Sequence, residues 1–157
     1  MPGKSYAGLK AIIVTKLTAL MGGDTPTPTA LFAGVYGVTE TEPTGYPACY
    51  VVEKTGGGQI LDTHRNEREW QFEVQIQVAI AKNRTPEDAY AALLDAVDRV
   101  IESFDQDPML LDVNSQEQCK WVRVVPVEFV FGTQDTAFHR ATLTVAVVDI
   151  VNRFASA

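Results

Sequence analysis

From Glu69 to Ala81 the chain reads EWQFEVQIQVAIA, with Trp70, Phe72, Val74, Ile76, Val78 and Ile80 separated by Gln71, Glu73, Gln75, Gln77 and Ala79. Strict alternation has the period of a β-strand, whose side chains point to opposite faces in turn. One face of this strand must lie on a core, and the other, rich in glutamine, must face water. At ~3.3 Å per residue the run spans roughly 40 Å, well beyond a common strand of about five or six residues.

The flanking sequence supplies the rest of a layered fold. Ser5 to Met21 reads as a helix, with Leu9, Ile12, Ile13, Leu17, Leu20 and Met21 at three- and four-residue spacing and Gly22-Gly23 ending it. DTPTPT then reads as an extended connector, Ala30 to Val38 as a strand weakened by Gly34 and Gly37, and Ala48 to Glu53 as a second strand. A polar loop is expected from Lys54 to about Arg68. The second helix begins at NRTPED, where Thr85 is an N-cap, Pro86 the first helical residue, and Glu87 and Asp88 favour the positive end of the dipole. Ala89, Leu93, Val97, Val100 and Phe104 form its apolar stripe.

After DQDP, MLLDV is either a short strand or a hydrophobic anchor. Lys120 to Phe131 is a strand with Trp121, Val125, Val127, Phe129 and Phe131 expected on one side. Pro126 lacks a ladder donor, which marks an edge strand or a bulge. Ala137 to Val151 is a last long strand, and residues from about 152 to 157 read as a loose tail. Most strands are joined by loops too short for parallel crossovers. The expectation is an α+β fold: one domain over 1–157, a mainly antiparallel sheet with two amphipathic helices packed on one face.

A net charge of −7 argues against tracking along a duplex or docking on an anionic membrane. No stretch approaches the ~20 apolar residues of a spanning helix, and no signal peptide is evident, so a soluble protein made in a cytoplasm is expected. Cys49 and Cys119 have no metal-like spacing and read as buried apolar residues, with a disulfide left open.

Few residues point to chemistry. Asp62, His64 and Glu67 invite a metal or acid–base reading, but two histidines in the whole chain make a zinc site hard to build, and a solvated loop is the simpler account. His139, in the last strand, reads as structural. TGGGQ lacks both the P-loop lysine and a following helix, so it is a poor phosphate cradle. No catalytic residue, cofactor or metal is assigned, and no enzymatic activity is expected. Trp70, Phe72, Trp121, Phe129 and Phe131 are taken as core. Tyr36, Tyr46 and Tyr50 are either core or a partner surface.

The stretches YGVTETEP, YPACYVVEKTGG, REWQFEVQIQVAIA, TPEDAYAALLDAVDRVIESF and ATLTVAVVDI occur in that order. With its P-A-x-x-V strand, polar loop into a long alternating strand and P-E-x-A helix start, the chain resembles the tail terminator (tail completion) proteins of long-tailed bacteriophages over nearly its whole length. The resemblance implies a structural virion protein at the head–tail junction. It implies a ring, usually hexameric, that caps the tail tube, ends tube polymerisation and offers a surface to the head. The implied partners are further copies of itself, the major tail tube protein and head–tail connector proteins, with DNA passing through the lumen without specific binding. Another neck or minor tail subunit is the near alternative, and a small cytosolic ligand-binding domain or enzyme the distant one. The physical reading agrees, since head-to-tail interfaces close into rings and acidic walls repel DNA. The loop then becomes an assembly arm, disordered or extended until a neighbour orders it. Its candidate contacts are Lys54, Gly56, Gly57, Gly58, Gln59, Asp62, His64, Arg65, Glu67 and Arg68.

Overall fold

A computed structural model describes residues 5–22, 29–38, 42–43, 45–60, 65–80, 85–112, 114–132 and 138–152. The elements run α1 (Tyr6–Thr18), β1 (Met21–Gly22), β2 (Thr29–Ala30), β3 (Gly34–Tyr36), β4 (Ala48–Lys54), β5 (Gly58–Ile60), β6 (Arg65–Ala79), α2 (Pro86–Asp105), β7 (Trp121–Val130) and β8 (Phe138–Asn152). The main sheet has the order β3-β4-β6-β8-β7, with β5 also on β6, and among the described residues only the β3–β4 pair is parallel. This is the expected α+β architecture.

The alternating run lies at the centre of the sheet. Trp70, Phe72, Val74, Ile76 and Val78 are all buried, while Gln71, Glu73, Gln75 and Gln77 are half-buried on the opposite face. Leu9, Ile13 and Leu17 of α1 and Leu93, Val97, Val100 and Phe104 of α2 join the same core as Cys49, Val51, Leu143 and Val145. Thr85 caps α2, its side chain accepting the Asp88 N–H at 3.1 Å, and Ser5 caps α1 in the same way through Gly8.

Several boundaries differ from expectation. α1 ends at Thr18, and Met21–Gly22 pairs with Thr29–Ala30 instead of prolonging the helix. Most of DTPTPT and the tail 153–157 lie outside the described residues. The strand expected over Ala30 to Val38 contracts to Gly34–Tyr36. Among the described residues of MLLDV, Met109 to Asp112, no strand forms: Leu110 is fully buried with φ 47°, an anchor that ends the turn after α2. The long strand starts at Arg65, four residues ahead of the alternation, because β8 pairs with it without interruption from Arg65↔Asn152 to Ala79↔Phe138. Backbone pairing on a neighbour carries these polar residues as strand although their side chains give no period-two signal.

The expected face of β7 needs correction. Trp121, Phe129 and Phe131 are exposed, not core, and Trp121, Val125, Val127, Phe129 and Phe131 do not share one side. The register slips between Pro126 and Glu128, leaving Val127 without a partner. Trp121 and Val125 oppose Val148 and Thr144 on the face away from the helices, whereas Phe129 opposes the core residue Ala141. One extra residue in a ladder exchanges the faces of everything beyond it.

Candidate assembly surfaces

The first surface is the hairpin that continues β4 and β6. Lys54 is paired with Gln71, but Gly58 is paired with Arg68. Three residues, 55–57, thus oppose two, 69 and 70, which is a β-bulge on the β4–β5 side. A side chain at Gly56 would collide with the Glu69 carbonyl oxygen, so only glycine allows this approach. The Glu69 N–H donates to the Gly57 carbonyl at 2.8 Å, and the ladder resumes. Gly56 is therefore a packing requirement at the bulge.

The expected contact residues separate accordingly. Lys54, Gly56 and Gly57 build the base, Gly58 and Gln59 belong to β5, and Arg65, Glu67 and Arg68 to β6. Arg68 is paired directly with Asp149 of β8, an opposite-charge cross-strand pair. Asp62 and His64 lie outside the described residues. At the base, the Tyr6 hydroxyl of α1 donates to the Lys54 carbonyl at 2.9 Å and accepts the Gly56 N–H at 3.0 Å. The Tyr6 ring rests edge-on against Phe72, with centroids 5.6 Å apart.

The second surface was not expected. β7 is the outermost strand, and Trp121, Val127 and Phe131 are 44%, 60% and 63% exposed, with Val125, Phe129 and Val130 exposed beside them. Six large apolar side chains along one edge exceed the scattered exposure normal for a monomer surface. The bulge and Pro126 interrupt the regular ladder that an added strand requires, so this edge suits side-chain packing more than open-ended sheet growth. Pro126 marked the edge in the sequence. The exposure of its neighbours had no sequence signal, because aromatic residues in a strand pattern read as core.

Buried His139 accepts the Gly132 N–H at Nδ1 (2.9 Å), and its Nε2 lies 2.9 Å from the Pro86 carbonyl oxygen. Lys10 binds Glu53 at 2.6 Å, and this hydrogen bond holds the Glu53 carboxyl below its ordinary value. Cys49 and Cys119 are buried and joined in no disulfide, and burial pushes the Cys49 thiol up. Tyr50 is buried and its ring lies 5.4 Å from that of Tyr36, while Tyr46 is exposed. A groove between α1 and the turn after α2 holds the Lys16–Asp107 ion pair at 2.9 Å, but its carboxylates Asp107 and Asp112 already accept internal hydrogen bonds. Among the described residues no cluster of three metal-ligating side chains occurs, and no helix is long and apolar enough to cross a membrane.

No protein-family model matches the chain, and no protein of curated function matches it in sequence. A solved structure does match in fold. The chain is similar to one in the virion of a native gene transfer agent particle. That likeness covers 93% of this chain and 98% of the other, with a TM-score of 0.50 and 14% sequence identity. At that identity it establishes a shared fold.

Proposed function

We propose that this protein is a structural subunit of a phage-like virion, acting as a tail terminator that closes into a ring on the end of the tail tube. The observation that carries the reading is the fold shared, over nearly its full length, with a chain of a gene transfer agent virion. The resemblance to tail terminators in the order and character of the sequence segments points to the same class. The apolar β7 edge supplies what a ring needs, a surface on one copy to be covered by a different surface of the next. The hairpin beyond Lys54, on the opposite side of β6 from β8, provides a second projecting surface for the neighbouring copy or the tube.

The test is sedimentation over a range of concentrations, followed by electron microscopy of the protein mixed with purified tail tubes. Closed rings or protein density at tube ends is expected. A monomer at every concentration that leaves tube ends bare overturns the reading.

A further inference from the structure

We infer that the Tyr6 hydroxyl is a latch that positions the assembly hairpin from helix α1. The inference rests on the reading of the hairpin as an assembly surface, but the latch itself is tested without any partner.

At the bulge the β4–β6 ladder ends at Lys54↔Gln71 and restarts one residue out of step at Gly58↔Arg68. The Lys54 carbonyl and the Gly56 N–H meet a single hydroxyl, which donates to the first and accepts from the second. A hydroxyl is suited to this, having one donor hydrogen and two acceptor lone pairs. Tyr6 thus satisfies two backbone groups at the bulge, and it belongs to a different element, 48 and 50 residues away in sequence.

Three contacts fix the latch. The ring is seated against Phe72, which is fully buried. The first turn of α1 is held by Ser5, whose carbonyl accepts the Leu9 N–H at 3.0 Å and whose side chain accepts from Gly8 at 3.1 Å. A Cβ on Gly56 would collide with the Glu69 carbonyl and come within 3.0 Å of the Tyr6 oxygen, so only glycine lets the chain approach both. On the other side of β6 the ladder to β8 runs through the bulge without a shift. The direction of β5 relative to the sheet is therefore set where β4 leaves off, by α1. Coupling of this kind is reciprocal: disturbing the bulge must loosen the first turn of α1.

The experiment is residue-resolved amide hydrogen exchange on the full chain. Tyr6→Phe keeps the ring against Phe72 and removes only the hydroxyl. Exchange at Gly56 and through Gly58–Ile60 is expected to rise on the order of tenfold, the value of one lost hydrogen bond, with the amides of Val74 and Val145 unchanged. Gly56→Ala, which changes no residue of α1, is expected to speed exchange at Gly8 and Leu9 as well. Unchanged exchange at Gly56–Ile60 in Tyr6→Phe overturns the latch. So does a uniform rise across all strands, or an unaffected α1 in Gly56→Ala. If local exchange rises as expected while tube capping by Tyr6→Phe is normal, the latch stands and the hairpin's assembly role falls.

Discussion

His139 Nε2 lies 2.9 Å from the carbonyl oxygen of Pro86, 53 residues away in sequence. With Nδ1 accepting from Gly132, the ring donates at Nε2, and one buried imidazole ties β8, the second residue after β7 and the first turn of α2 together. Replacing His139 by Ala strands the Gly132 N–H and the Pro86 carbonyl and opens a cavity beside Tyr90, whose ring lies 5.8 Å from the imidazole. The expected cost is about 2–4 kcal/mol in a urea titration, and a loss below ~1 kcal/mol would show that water replaces the ring at no penalty.

The apolar edge predicts a separation of stability from association. Val125→Lys and Val127→Lys alter side chains that are 46% and 60% exposed. Stability should stay within about 0.5 kcal/mol of the parent. Self-association, followed by sedimentation, should weaken at least ~10-fold if these positions are desolvated between copies.

The hairpin predicts a different separation. Deletion of Gly56 to Asn66 removes β5 and the first two residues of β6 but none of the residues that form the core. The melting temperature should fall by only a few degrees, corresponding to about 1–2 kcal/mol, while capping of tail tubes is lost. Normal capping by the shortened protein would reduce the hairpin to a connector.

Glu53 predicts a small acid-sensitive contribution. Its folded value is depressed, chiefly by the hydrogen bond from Lys10. The contribution is therefore complete above the unfolded value of about 4.3 and disappears as pH falls through the lower folded value. With its side chain 44% exposed, screening holds the effect below about 1 kcal/mol. Denaturation midpoints of the parent and Glu53→Gln should differ slightly at pH 7 and converge as the pH falls below the lowered folded value. A gap that widens on acidification contradicts the assignment.

The two thiols predict slow labelling. Cys49 is fully buried and Cys119 nearly so, and burial holds the Cys49 thiol protonated. A chromogenic disulfide reagent at pH 8 should react with both only at the rate of unfolding. Prompt reaction of either thiol in the native protein would show an opening of the sheet or of the turn near Pro108.

The sequence by itself determined the elements whose signal is local. The alternation from Trp70 to Val78 makes a half-buried strand, and Thr85-Pro86 starts α2 through contacts within one helical turn. The fold class follows from the order of such segments. Tertiary structure decided what depends on which strand lies alongside. Arg65 to Arg68 are strand because β8 continues beside them, not because their side chains alternate. Gly56 is needed because the Glu69 carbonyl approaches it, a contact that no run of glycines announces. Trp121 and Phe131 are exposed because β7 ends the sheet, and the slip at Val127 turns the aromatic residues after it to the other face. Hydrophobic period records where a side chain points along its own strand. Burial is set by what packs against it, and that is known only once the chain has closed.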